Sequence, residues 1–271
     1  MPEIRDRASI RSLLRADPHW SVYALGDLAP GYFEDCEWYA SNGGPPALLL
    51  LYRAVTPPVL FAAGEPEAIA RLAEETCEPA VYLNVQPDAA RALASRYRLV
   101  NPKPMLRMAL DPSRFRPPAG GDIVRLARSD TPRLEKLYAD GRGTGEAPDF
   151  FFPPMVERGV FFGAEEDGEL VAAAGTHLAV PEEGVAAVGN VYTRRDRRGR
   201  GLAGRLTGAV VEALGRMNIP VVALNVSRQN AAAIRVYQRL GFAIHCEFIE
   251  GPASGVPAAA GRSGSGPARL R

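Results

Sequence analysis

The chain has 271 residues, 46% of them hydrophobic and 23% charged, with a formal net charge of +1. That is enough apolar material for one large core or two modest ones, and too little net charge for a global field that would draw the molecule to DNA or to an anionic membrane. Cys36, Cys77 and Cys246 are far apart and form no CxxC pair, so neither a disulfide framework nor a zinc site is indicated. The longest apolar run, 47–52, is far short of a membrane span, and no stretch has the order of a signal peptide; a cytoplasmic protein is expected.

In chain order, periodicity and turn residues predict a helix over 9–15, strands over 37–40, 47–53 and 59–63, and a helix over 66–75. A strand over 81–85, a helix over 87–97 and a strand over 105–110 follow. Residues 111–121 are dense in proline and glycine, which break both helix and strand, and a linker is placed at 116–121 between a first unit, 1–115, and a second, 122–253.

The second unit reads as a strand over 123–126, Ser129 as helix cap, and a helix over 131–141. A loop with Phe150, Phe151 and Phe152 leads to strands over 160–164 and 170–180, joined by the Asp167-Gly168 turn. After a strand over 185–193 and a glycine turn comes a helix whose Leu202, Leu206, Val210 and Leu214 form one buried stripe. A strand over 221–226, a helix over 230–240 and a strand over 242–249 complete the unit, with Gly241 as the residue that ends the helix. Residues 254–271 lack periodicity and read as a disordered tail.

The chemistry concentrates in the glycine turn. A helix N-terminus offers unpaired N–H groups and the positive end of the helix dipole, and glycines let an anion approach that backbone closely. Gly199, Gly201 and Gly204 open the leucine-striped helix, directly after a loop holding Arg194, Arg195, Arg197, Arg198 and Arg200. Strand, anion-binding turn and helix together suit a diphosphate-bearing cofactor. Residues 199–204 also spell GxGxxG, but the dinucleotide reading fits poorly: a charged loop separates the turn from its strand, and Ser227 and Arg228 stand where the next strand should end in an acid. A Walker A loop is excluded, because the chain contains no Gly-Lys-Ser or Gly-Lys-Thr.

Arg198-Gly199-Arg200-Gly201-Leu202-Ala203 resembles the R-x-x-G-x-G/A signature of the GNAT superfamily of N-acetyltransferases. Downstream, the run from Asn230 through Tyr237 to Gly241 and Phe242 is similar to that family's N-x-x-A-x-x-x-Y-x-x-x-G-F segment. The likeness covers roughly 122–251, and Arg195 departs from it where many members have proline. It implies a mixed α/β (α+β) fold with a mostly antiparallel sheet flanked by helices, and acetyl-CoA as cofactor. The first unit has a similar order of elements, like a degenerate copy in a tandem, glycine N-acyltransferase-like arrangement; between Val85 and Tyr97 no glycine turn survives, which gives it a structural or substrate-shaping role.

By the same resemblance, backbone N–H groups of Arg198, Gly199, Arg200, Gly201, Leu202, Ala203 and Gly204 hold the pyrophosphate, and Val191 and Thr193 pair with the pantetheine arm. Asn230 contacts the cofactor, and Tyr237 donates a proton to the leaving thiolate; on periodicity alone Tyr237 could equally be a packed aromatic. The attacking amine must be neutral, so a base is expected near the acyl end. His177 and, as a water positioner, Asn190 are the candidates, ahead of His245, Glu247 and Glu250.

The expected activity is therefore transfer of an acetyl or short acyl group to a small-molecule or peptide amine. A non-catalytic acyl-CoA sensor is the alternative, and nucleic-acid binding through the arginine loop is a third reading that the near-zero net charge argues against. No metal, nucleic-acid or membrane partner is expected, and the acceptor and oligomeric state are left open.

Overall fold

The computed structural model describes residues 3–75, 78–118, 120–148 and 150–256. Cys77 and most of the expected tail, 257–271, lie outside them. The first half runs α1 (Arg7–Leu14), α2 (Val22–Gly26), β1 (Cys36–Ala40), β2 (Ala47–Tyr52), β3 (Val59–Gly64), α3 (Pro66–Glu74), β4 (Ala80–Val85), α4 (Pro87–Ala92), β5 (Tyr97–Leu99) and β6 (Lys103–Leu110). The second runs β7 (Val124–Arg125), α5 (Thr131–Arg142), α6 (Pro153–Arg158), β8 (Phe162–Glu166), β9 (Glu169–Val180), β10 (Val185–Thr193), α7 (Leu202–Arg216), β11 (Val221–Ser227), α8 (Ala231–Arg239) and β12 (Phe242–Gly255).

The expected mixed, mostly antiparallel sheet flanked by helices is what forms. Among the described residues every strand joins one sheet, in the order β1-β2-β3-β4-β12-β6-β11-β10-β9-β8-β7, with β5 beside β12. The halves repeat one topology. In the first, β1, β2 and β3 are antiparallel neighbours and β3 crosses through α3 to a parallel β4. In the second, β8, β9 and β10 are antiparallel neighbours and β10 crosses through α7 to a parallel β11.

The closing strands are interchanged. β6, from the first half, lies against β11, while β12, from the second, lies against β4 through Ile249–Ser254 pairings with Val85–Ala80. β6 and β12 also pair with each other, so the sheet is continuous across the two halves. Pro117 and Pro118, between the halves, sit on α7, where a Cβ at Gly208 would lie 3.4 Å from both. Small residues on that helix face make room for the crossing chain.

Apolar patterning explains the layers. Leu202, Leu206, Val210 and Leu214 of α7 pack on the second-half sheet with Val188, Val222, Leu224 and Phe242. On the opposite sheet face, α1 and α2 bring Ile10, Leu14, Val22 and Leu25 together with β1 residues and with Val185, Ala187 and Ala223 of β10 and β11. That core belongs to both halves. Arg11 of α1 reinforces it, its guanidinium donating through Nε and Nη2 to the Glu183 carboxylate at 2.8 and 2.6 Å.

Several expectations need correction. Tyr97 begins β5 and is not helical, because α4 gives way to a single 3₁₀ turn, Leu93–Ser95. Ser129 does not cap α5: it lies inside a 3₁₀ turn, Arg128–Asp130, where the Asp130 carboxylate accepts from the N–H of Ala127 at 2.9 Å. The aromatic loop contains α6, started by Pro153 in the first helical turn, a position that has no use for an N–H. Ser254 and Gly255 are ordered in β12, paired with β4 and β5 through backbone bonds that composition does not encode.

Candidate active site

The site forms where two parallel strands part. β10 and β11 pair only from Val185 to Val188 against Val221 to Leu224. β11 continues alongside β6 as far as Ser227, so it is β10 that turns away. The turn has a visible cause: Gly189 is in register with Gly175 and Tyr192 with Ala173, leaving Asn190 and Val191 as the extra residues of a β-bulge. Asn190 takes φ +53°, a left-handed conformation that asparagine tolerates better than most residues. The Tyr138 hydroxyl fixes the bulge by donating to the Asn190 carbonyl at 2.9 Å.

The gap opens into a cavity of about 1110 Å³ whose near wall includes Val188, Gly189, Asn190 and Val191 on one side and Asn225, Val226 and Ser227 on the other. Tyr237 borders it from α8, and Asn230 from the cap before that helix. The first half supplies further lining, including Tyr23, Asp27, Tyr52 and Arg107. Neither half alone encloses this space.

At the mouth of the gap, the chain after Thr193 makes a 3₁₀ turn, Arg195–Arg197, and then enters α7. Gly199 and Gly201 have φ of +79° and +75°, and nothing lies within 4 Å of a Cβ built on either. Their freedom is therefore conformational, and the space in front of the helix start is open. The first backbone donor of α7 with a partner inside the helix is Arg205, to Gly201 at 3.1 Å, which leaves the preceding amides of the turn for an anion. Gly204 differs: it lies within α7, and a Cβ there would sit in ordinary contact with Val236 and Pro118, so neither backbone conformation nor space requires glycine.

Every arginine of the loop has an acidic partner. Arg194 pairs with Asp196 at 2.7 Å, Arg197 and Arg200 with Glu166 at 2.6 and 2.8 Å, and Arg195 and Arg198 with Glu146 at 2.5 and 2.9 Å. The two guanidiniums pull the Glu146 carboxyl down to about 2, so it is an anion at any working pH. No unpaired cationic stripe of the kind nucleic-acid backbones select is left in this loop. Glu146 competes with any anion for Arg198. Glu146→Gln is accordingly expected to tighten acetyl-CoA binding by about 3- to 10-fold at low salt, with the gain shrinking as salt rises, measured by calorimetry at two ionic strengths.

The other expected residues divide. Tyr237 is 7% exposed, packs edge-on against Phe242 with ring centroids 6.2 Å apart, and its hydroxyl has no hydrogen-bond partner among the described residues. Burial raises its pKa to about 12, so it keeps its proton. Asn230 caps α8, its Oδ1 accepting from the Ala233 N–H at 3.0 Å. Among the described residues Asn190 Oδ1 and Thr193 Oγ1 are buried without partners, and the Asn190 amide nitrogen reaches the Met155 sulfur at 3.6 Å.

His177 lines the cavity with Nδ1 2.8 Å from the Tyr23 hydroxyl, and its imidazole lies against Gly189, where a Cβ would come within 2.4 Å of Nε2. Burial, and then the nearby Arg107 cation, lower its pKa to about 4, so the ring is neutral. His245 and Glu247 are not brought to the cavity; they bind Asp17 and Arg228 on the surface. Glu250 does line it. Of the three phenylalanines, Phe151 packs inward on Tyr138 and Phe161, whereas Phe150 and Phe152 border the cavity.

Sequence reasoning missed Tyr23, Asp27, Arg107 and Glu146. Arg107 had a signal, a charge in the apolar strand Met105-Leu106-Arg107-Met108-Ala109-Leu110. It is 1% exposed, donates from Nε to Asn225 Oδ1 at 2.6 Å and from Nη1 to the carbonyl of Trp20 at 2.7 Å, and lies 5.0 Å from the rings of Trp20 and Tyr23. Asp27 makes no ion pair or hydrogen bond with a described residue, and burial raises its pKa from 3.8 to about 7.

That shift predicts a pH dependence of stability. Below about pH 4 Asp27 is protonated in both folded and unfolded chains; between there and pH 7 the unfolded chain releases a proton that the folded one retains. Folding stability is therefore expected to fall by up to a few kcal/mol from this group as pH rises to 7, and Asp27→Asn should flatten that part of a denaturant-midpoint profile.

The turn of the first half that corresponds to this site by topology follows β3, at Gly64-Glu65-Pro66, and not β4 where the expectation looked for it. No phosphate cradle exists there. Glu65 stands at the N-cap position of α3 without a side-chain cap, Pro66 removes an N–H, and a Cβ at Gly64 would meet the Pro46 carbonyl at 2.2 Å.

A parted parallel pair with a bulge in its first strand, followed by a glycine turn opening a helix, is accompanied by likeness to known proteins. The family described as "Acetyltransferase (GNAT) family" matches residues 126–242. These residues form a GNAT acetyltransferase domain. Mycothiol acetyltransferase of Streptomyces avermitilis is 37% identical over 92 residues, which is 34% of this chain but only 30% of that relative's length. Mycothiol acetyltransferase of Mycobacterium sp. (strain MCS) is 28% identical over 255 residues, covering 86% of this chain and 80% of the relative.

Among solved structures, a putative GNAT-family acetyltransferase from Novosphingobium aromaticivorans superposes with a TM-score of 0.58 at 26% identity, over 87% of this chain and 96% of that one. A tandem GNAT protein from the clavulanic acid biosynthesis pathway does so with a TM-score of 0.58 at 16% identity, over 95% and 98%. The latter likeness is one of fold alone. It extends across both halves, so the GNAT domain is preceded by a GNAT-like first half.

Proposed function

We propose that the protein transfers an acetyl or short acyl group from acyl-CoA to a primary amine by direct attack, with no acyl group carried on the enzyme. The observation that carries this reading is the meeting, in one cleft, of the open glycine turn at the start of α7 with the unpaired bulge of β10. The relatives named as acetyltransferases support an acetyl donor and a small-molecule acceptor.

The chain fits a CoA-sized ligand. Amides of residues 198–204 face open space where a diphosphate would sit, and Gly199 and Gly201 permit the backbone shape that aims them. Val191 has no register partner on β9, which supports assigning its N–H to an extended arm, or to an oxygen that gains negative charge as the amine attacks. Thr193 continues the same edge. Bound acyl-CoA supplies an activated thioester. Tyr237, protonated, at the cavity and without a hydrogen-bond partner among the described residues, is the group assigned to give a proton to the departing sulfur.

Deprotonation of the amine has a different solution from a strong base. His177 stays neutral, and with a pKa of about 4 it accepts a proton weakly. Arg107, buried beside Asn225 at the parted strands, places a cation near the reacting end, which disfavours an ammonium there and lowers the acceptor's own pKa. Asn190 serves at most as a fixed edge, since its Oδ1 is closed off from the cavity.

The weakness of His177 as a base favours the second reading, an acyl-CoA sensor without turnover. Release of free thiol from acetyl-CoA across a panel of primary amines separates the two. Amine-dependent release supports transfer; tight acetyl-CoA binding with no release for any amine supports the sensor.

A further inference from the structure

Arg107, on β6, is a buried cation that pairs with no carboxylate among the described residues. It lines the cavity, with its guanidinium carbon 5.0, 5.0 and 5.4 Å from the ring centroids of Trp20, Tyr23 and Phe248. Its hydrogen bonds go to neutral oxygens: from Nε to Asn225 Oδ1, and from Nη1 to the carbonyls of His19 and Trp20 at 3.1 and 2.7 Å. The acids whose charge reaches it are Asp17, which binds His245 at the surface, and Glu250, which borders the cavity; neither forms an ion pair with it. Nη2 is left over. It makes no hydrogen bond with a described residue and is not sealed off.

Tyr23 joins this cation to the histidine of the cavity. Its ring lies under the guanidinium, and its hydroxyl is 2.8 Å from His177 Nδ1. Burial holds the hydroxyl protonated, with a pKa of about 12, and His177 is neutral. Nδ1 is the acceptor that the Tyr23 proton has within the protein, so Tyr23 donates and the imidazole carries its own proton on Nε2. Like Arg107 Nη2, Nε2 has no hydrogen-bond partner among the described residues and is not sealed off. Two donors, one of them cationic, thus meet at one tyrosine on the wall of one cavity.

A buried arginine without a carboxylate is stabilised when one is delivered to it, and its planar donors match carboxylate oxygens. The geometry points to a carboxylate subsite formed by Arg107 Nη2 and His177 Nε2–H, with Tyr23 as its positioning residue, so that the favoured acceptors are amines bearing a carboxylate. This rests on the acyl-transfer reading. Arg107 lies against Asn225 at the parted strands, so carboxylate and amine are close together, as in an α-amino acid. A carboxylate beside an ammonium favours the charged amine; once it is held on Arg107 its field is offset, and the amine gives up its proton more readily. Arg107 and Tyr23 belong to the first half of the chain, which has no cofactor turn of its own and thereby selects the acceptor.

The test compares α-amino acids with their α-carboxamides, by thiol release from acetyl-CoA and by calorimetry on CoA-saturated protein. For at least one amino acid, wild type is expected to show a KM at least about tenfold below that of its amide. Arg107→Gln should erase that gap by raising the KM of the acid, and Tyr23→Phe, which keeps the ring under the guanidinium, should narrow it by about threefold. A merely structural Tyr23 would leave the tautomer of His177 unchanged, so the histidine ring-nitrogen resonances give a second readout, with His177→Gln identifying the signals. Wild type is expected to show Nε2–H alone and Tyr23→Phe a mixture of tautomers. The amino acid, and not its amide, should shift the Nε2–H signal.

Equal KM and affinity for acid and amide across the series overturn the proposal, as does a preference that survives Arg107→Gln or an Nδ1–H tautomer in wild type. If Arg107→Gln does not fold, Tyr23→Phe and the resonances decide alone. Failure of acetyl-CoA to bind sinks the transfer reading instead. Amino-acid titration of the unloaded protein, read on His177, then still tests the subsite.

Discussion

Tyr237→Phe is expected to lower kcat by about 100-fold while leaving acetyl-CoA affinity and the melting temperature close to wild type. The expectation follows from the hydroxyl's isolation. Buried hydroxyls ordinarily find partners, and this one has none among the described residues although it borders the cavity. Removing it breaks no internal hydrogen bond and keeps the ring against Phe242, so a purely packing role predicts an active variant. Steady-state kinetics with acetyl-CoA and a saturating amine decide between them. A fall below about threefold would return Tyr237 to the core.

The second large effect is at the turn. Gly201→Glu is expected to weaken acetyl-CoA binding by at least about 100-fold, and Gly201→Ala by a smaller factor, as read by calorimetry. Two causes add. A non-glycine residue at φ +75° costs on the order of 1–2 kcal/mol, which alanine shares with glutamate. Glutamate also extends a negative charge into the open space before α7, where the helix dipole and the free amides would otherwise meet the diphosphate. Because nothing lies within 4 Å of the added Cβ, the fold itself has room for either side chain. Equal losses for alanine and glutamate would mean that backbone shape alone is at stake and that no anion binds there.

Much of the second half was legible in the sequence because local chemistry specifies it. The four-residue stripe from Leu202 to Leu214 required a helix with one buried face, and Asn230 before an apolar period read as the start of another. The glycines at 199 and 201 could be read as a turn because their conformations are ones that few other residues adopt. The bulge was not legible. Asn190 and Val191 look like ordinary strand residues, and only their pairing with β9 and the Tyr138 hydroxyl make them the point where β10 leaves β11.

The acceptor wall was hidden for a related reason. Tyr23 lies in a five-residue helix too short to show periodicity and Asp27 caps its end, and the exchange of β6 and β12 between the halves depends on pairings over more than a hundred residues of sequence. Such long-range pairing leaves no local trace. Arg107 illustrates the same limit: a charge in an apolar strand signals something unusual, but its Asn225 partner and the aromatic rings around it come from elements far apart in the chain.

The most direct test of the central claim, that the turn before α7 and the parted strands together form an acyl-CoA site, is calorimetric titration of acetyl-CoA into the intact protein. Saturable binding at one molecule per chain, abolished in Gly201→Glu, is the predicted result. No binding by the wild-type protein, or binding that Gly201→Glu leaves unchanged, would contradict the account.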